Sequence, residues 1–134
     1  MTYMLDSNAV TLVTARPSTG VARKFANALP QGVCMSAIVA FEAHYGFALN
    51  TRRNEHEQRF AALLRRGVSI VPFDEDDALT AGTLAAALRA SGTNLGAYDL
   101  LIVAQALRVG STLVTSDAGF ARVDGLKTED WSKT

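Results

Sequence analysis

The chain has 134 residues, enough for one domain (1–134) around one core, and its 49% hydrophobic against 19% charged residues mark it as globular. Lys+Arg and Asp+Glu each number 13, so bulk positive charge is not what would hold a nucleic acid here. No apolar run approaches a membrane span, no signal peptide is visible, and the one cysteine, Cys34, excludes an internal disulfide and fits a reducing, cytoplasmic setting.

Residues 3–6, Tyr-Met-Leu-Asp, read as a first strand that runs straight into a carboxylate, a hydroxyl (Ser7) and an amide (Asn8). A short helix follows over 8–14, with Ser7 or Asn8 as its cap. Pro17 to Gly20 form a turn. Residues 21–29 have apolar positions at helical spacing, and Pro30-Gln31-Gly32 stops them. Val33-Cys34-Met35 is a second strand, with Cys34 as a core thiol, and Ser36 caps the next helix. That helix carries Ile38, Phe41, Glu42, Tyr45, Gly46 and Leu49 on one face, so Glu42 lies inside the apolar stripe. Residues 52–66 form a further helix that buries Phe60, Leu63 and Leu64, and Gly67 ends it. Residues 68–73 are a third strand. Asp74 through Asp77 begin a long helix, where acids suit the macrodipole, and its Leu79, Gly82, Thr83, Ala86 and Ala87 allow close packing. After a loop over 91–96, residues 97–108 form a helix with Asp99 in line with Ile102, Val103, Ala106 and Leu107. Residues 111–115 are a fourth strand that ends at Ser116-Asp117, and a short helical turn carries Phe120. Residues 126–128 suit an edge strand. Strands alternating with helices predict an α/β three-layer sandwich (α/β/α) with a mainly parallel sheet of four to five strands.

Four acids therefore occupy positions where a carboxylate is costly or follows an apolar strand: Asp6, Glu42, Asp99 and Asp117. Each has an ordinary explanation. Asp6 could form an Asx turn, Glu42 could pair with an arginine or lysine, Asp99 could cap its helix after Gly96, and Asp117 could cap the turn carrying Phe120. The acids have to be explained away separately, whereas one divalent cation explains them together. Mg²⁺ takes carboxylate oxygens and keeps waters, and it activates water for attack on phosphate. Ser7, Asn8, Thr115 and Ser116 neighbour the acids and are placed to orient them. His44 and His56 have no ligand spacing and suit surface or partner contact. Tyr98 suits either packing or contact with a base. No phosphate-cradling glycine loop, Cys/His zinc spacing or Gly-x-Ser-x-Gly elbow is present.

Met4-Leu5-Asp6-Ser7-Asn8, then Ser36-Ala37-Ile38 leading to Glu42 and Gly46, resemble the first half of a PIN domain. Gly96 to Ala104, with Asp99 inside it, resembles the third acidic motif. Leu113 to Asp117, Phe120, Gly125-Leu126 and Asp130-Trp131 resemble the C-terminal end. Chain length and the closing Asp-Trp are most similar to the VapC-type toxins of bacterial toxin–antitoxin pairs. Ser7 replaces a frequent threonine, and Ser116 a frequent asparagine; both positions stay polar. The resemblance implies a metal-dependent endoribonuclease in which Asp6, Glu42, Asp99 and Asp117 hold Mg²⁺ or Mn²⁺. It implies in-line water attack on RNA that leaves a 3′-hydroxyl and a 5′-phosphate. It also implies a homodimer blocked by a VapB-type antitoxin, with helices 37–49 and 53–66 as the docking surface.

Two other readings compete: a PIN-like module that mainly binds its partner, and a nuclease acting on DNA. Costly intact acids argue against the first. A phospho-receiver domain, also α/β with an acidic pocket, needs a lysine after a later strand. No lysine stands between Lys24 and Lys127.

Overall fold

Five short parallel strands form the centre of the structure, a computed structural model that describes residues 2–133. They are β1 (Tyr3–Leu5), β2 (Val33–Ser36), β3 (Ser69–Val71), β4 (Thr112–Val114) and β5 (Thr128–Glu129), in the spatial order β3-β2-β1-β4-β5. The central three are buried on both faces. Met4, Leu5, Met35, Leu113 and Val114 are all within 1% of complete burial, as expected of a parallel sheet covered on two sides. Six helices cover it: α1 (Ser7–Thr14), α2 (Thr19–Ala28), α3 (Ala37–Ala48), α4 (Arg53–Arg65), α5 (Glu75–Ala90) and α6 (Ala97–Val109). The connections β1→β2→β3 step one way across the sheet, and β3→β4 steps back past β1. Right-handed crossovers therefore place α1–α4 on one face and α5–α6 on the other. This is the three-layer α/β sandwich that the sequence predicts. Among the described residues no helix is long and apolar enough to cross a membrane.

The reversal of direction falls between β1 and β4. Leu5 lies opposite Met35 on one side and Val114 on the other, so residues 6, 36 and 115 leave the sheet side by side. Open α/β sheets bind ligands at such a switch point, outside the carboxyl ends of the strands. Trp131 is buried and packs against Tyr3 and Phe25.

Two expectations are corrected. The α3 stripe of Phe41, Tyr45 and Leu49 faces solvent, and the helix buries Val39 and Ala40 instead. Likewise Leu79, Gly82, Thr83, Ala86 and Ala87 of α5 are exposed, while Asp77, Ala81 and Leu88 are buried. Both helices are apolar nearly all round, so periodicity shows which residues share a face but not which face turns inward. The acids opening α5 stand at its N-terminus as expected, and one of them is buried. Asp77 is 0% exposed and forms a capping box with Asp74. Arg108 and Gln105 of α6 also donate to its carboxylate.

Candidate active site

Asp6 sits where β1 ends, and it is itself the cap of α1: its Oδ1 accepts the Ala9 N–H at 2.8 Å. Neither Ser7 nor Asn8 takes that role. The Asx-type bond is therefore real and uses one carboxylate oxygen, and the Thr115 hydroxyl is a further partner of the same carboxyl group. Glu42, half-buried on α3, accepts a hydrogen bond from the Ser7 hydroxyl at 2.6 Å, again through one oxygen, Oε1. Asp117 follows β4 and is exposed. Its Oδ1 accepts the Gly119 N–H at 2.8 Å, so it does cap the turn carrying Phe120. Asp99 lies in the first turn of α6, where Gly96 is the cap and makes no side-chain capping bond, so the capping role weighed for Asp99 does not hold. Three of the four acids are thus pinned through one oxygen each, from elements far apart in the chain.

The charges of the neighbouring acids bear on Asp6 and Asp99. Burial pushes the Asp6 carboxyl above its ordinary value. The Thr115 hydroxyl and the Ala9 N–H offset part of this, and the charges of Asp117 and Glu42 add to it. Asp99 is raised as well, first by burial and then by the charges of Glu42, Asp117 and Asp6. Among the described residues no lysine or arginine pairs with any of the four; the ion pairs are Arg53–Glu57, Arg59–Glu55 and Arg108 with Asp74 and Asp77. The acids are gathered but not drawn tight. Among the described residues no three Asp, Glu, His or Cys side chains stand at metal-binding spacing. The donor set consists of carboxylate oxygens with no cation of the protein's own, and this fits a hard divalent ion.

Of the residues flanking the acids, Ser7 orients Glu42, and Thr115 lies beside Asp6 and accepts the Asp117 N–H at 3.1 Å. Asn8 and Ser116 are exposed. A cavity of about 300 Å³ between α1, α3 and α4 opens beside the cluster and shares Ser7 and Glu42 with it. Its walls include Phe47, His56, Arg59 and Phe60, with the His56 ring stacked on Phe47 at 5.9 Å. Cys34 is a buried core thiol whose pKa is raised by that burial.

The sequence pattern of the PIN domain matches residues 3–126. The tRNA(fMet)-specific endonuclease VapC of Shigella flexneri is 30% identical over 135 residues, spanning 97% of this chain and 98% of that protein. The ribonuclease VapC2 of Haemophilus influenzae (strain ATCC 51907 / DSM 11121 / KW20 / Rd) is 31% identical over 133 residues, spanning 96% and 97%. Among solved structures, VapBC2 from Rickettsia felis, bound to a DNA fragment from its promoter, aligns with a TM-score of 0.91. It is 25% identical and covers 96% of this chain and 98% of its own. VapBC-1 from nontypeable Haemophilus influenzae aligns at 0.88 with 27% identity, covering 99% and 100%.

Proposed function

The chain belongs to the PIN domain family, among the VapC ribonucleases, and from that premise we propose that it is a toxin that cleaves RNA at the cluster of Asp6, Glu42, Asp99 and Asp117. The observation that carries this reading is the set of four carboxylates from four elements, whose charges add to the raised proton affinity of Asp6 and Asp99, with no basic partner among the described residues. Mg²⁺ or Mn²⁺ bound there supplies the Lewis acidity that makes water nucleophilic near neutral pH and neutralises developing phosphate charge. The chain's own groups set the stage. The Ala9 and Gly119 N–H groups and the Ser7 hydroxyl fix Asp6, Asp117 and Glu42, each through one oxygen. Each acid then needs no reorganisation when the phosphodiester arrives. Attack in line with the leaving oxygen gives a 3′-hydroxyl and a 5′-phosphate.

The protein acts in the cytoplasm as a homodimer held in check by a VapB-type antitoxin. The apolar cavity between α1, α3 and α4, open beside Glu42, suits a side chain of that partner.

Asp6→Asn is the decisive variant. An asparagine oxygen still accepts the Ala9 N–H, and Asn ranks with Asp as a helix cap, so the fold is preserved while the charge is lost. The native chain, expressed alone, arrests growth and produces defined new RNA 5′ ends on sequencing; the variant does neither. Equal toxicity from both would overturn the assignment.

A further inference from the structure

Asp130 and Trp131 close the chain outside the acid cluster, yet both line a second cavity, of about 240 Å³. It is built from α1, the end of β4 and the C-terminal segment, and it shares only Asn8 and Thr11 with the cavity between α1, α3 and α4. Leu12, Val114 and the buried Trp131 give it apolar walls, and Asn8, Ser116 and Asp130 bring polar groups to it. Thr115 joins it to the acids. Its hydroxyl bonds to the Asp6 carboxyl and accepts the Asp117 N–H at 3.1 Å, and the same residue lines the cavity. We propose that this cavity receives the base of the nucleotide next to the cleaved phosphodiester, and that it favours bases with an exocyclic amine, which donates to Asp130.

The inference rests on the ribonuclease reading above and adds which bases the site selects. Sequence-specific RNA recognition works mainly on unpaired bases, splayed out and bonded along their edges. Asp130 presents such an edge reader. Its Oδ1 accepts the Ser132 N–H at 2.9 Å and the Ser132 hydroxyl, and among the described residues its Oδ2 accepts no hydrogen bond. The Ser132 hydroxyl is the main cause that holds this carboxyl below its ordinary value. Against a smaller effect of burial, the Ser132 N–H and the charges of Lys133 and Lys24 add to it. Asp130 is therefore ionised at neutral pH and can only accept. The amine of cytosine gives it a donor, whereas the carbonyl that replaces that amine in uracil sets one acceptor against another. The Asn8 side chain, exposed and without a hydrogen bond among the described residues, offers both a donor and an acceptor to the rest of the edge. Lys24, whose ammonium donates to the Lys133 carbonyl, and Lys133 act on Asp130 by charge and suit the following phosphate. A side chain of a protein partner is the other candidate occupant. Continuity with the acids through Thr115 favours the strand that has to lie on them.

The test uses the Asp6→Asn chain with Mg²⁺, so that the RNA stays uncut. The probes are oligocytidylate and oligouridylate of equal length, which differ only along the base edge. Oligocytidylate binds about five- to a hundredfold more tightly. Adding Asp130→Asn keeps an oxygen for the Ser132 N–H, and its amide now donates to a carbonyl, so the preference shrinks below about twofold or reverses. Thermal unfolding within a few degrees for the two chains shows that the fold is kept. Equal affinity for the two probes, no binding of either, or a preference that survives Asp130→Asn overturns the pocket. So does a loss of affinity for both probes by one factor, which makes Asp130 a structural residue. If any of these occurs while the chain with all four acids still arrests growth and yields new RNA 5′ ends, the pocket alone falls. If that chain does neither, the ribonuclease reading falls and the pocket with it.

Discussion

Gly119 shows how tightly one carboxylate is held. A Cβ added there would stand 3.0 Å from Asp117 Oδ1, the same oxygen that accepts the Gly119 N–H. That is tighter than nine in ten real contacts, so the Asp117 side chain must give by a few tenths of an ångström. The turn is otherwise unstrained, since Gly119 is not among the positive-φ glycines. Gly119→Ala is therefore expected to slow RNA cleavage roughly ten- to a hundredfold through a misplaced carboxylate. Its melting temperature should stay within a few degrees of native, as for other surface changes. Steady-state cleavage alongside thermal unfolding checks both. An unchanged rate would mean that Asp117 can move without consequence. Gly96 offers a milder contrast, because a Cβ there would meet Asp99 Oδ2 at an ordinary 3.6 Å.

At the scale of elements, α5 and α6 pack as an antiparallel pair, and Asp77 is the clasp. Burial alone would raise its carboxyl. The Arg108 hydrogen bond, with the Asp74 N–H and the Arg108 charge, outweighs that and holds it below the usual 3.8. Gln105 donates to the same carboxylate and to the Pro72 carbonyl, which fastens the pair to the end of β3. Arg108→Met leaves a buried carboxylate without its cation. The melting temperature is expected to fall by roughly 5–10 °C, and adding Asp77→Asn should recover most of it. This clasp also marks what sequence reasoning could not see. Asp74 to Asp77 read as a dipole-favoured helix start, which they are, but nothing local reveals that Arg108 and Gln105 reach one of them from the next helix. The strands and helices themselves were legible because Pro30, Gly32, Gly67 and the 91–96 loop punctuate them. The four acids stood out in the sequence because Asp6 and Asp117 follow apolar strands while Glu42 and Asp99 lie in line with apolar helix positions. The outward turn of Phe41, Tyr45 and Leu49 was not, because an all-round apolar helix has no pattern that points to the core.

For the whole molecule, the acid cluster trades stability for chemistry. Asp6 and Asp99 have folded-state pKa values above the ordinary 3.8. Between 3.8 and those raised values the folded chain binds more protons than the unfolded chain. Stability therefore falls as pH rises through that window and is regained as pH drops back through it. Asp77 works in the opposite sense: its contribution is present above 3.8 and is lost as pH falls below. Thermal unfolding in chelator should therefore show native protein becoming less stable from acidic toward neutral pH relative to Asp6→Asn, which lacks one of the raised groups. Divalent metal at neutral pH should close that gap. Curves of native and variant that stay parallel across the range would mean Asp6 carries no such strain.

The first strand lies in the middle of the sheet, between β2 and β4. Its second neighbour begins only at Thr112, and Asp117 comes later still. A ribosome making this polypeptide must therefore read through position 117 before the fourth carboxylate exists and β1 has both neighbours. Chains released before that point carry at most three of the four acids on an incomplete sheet.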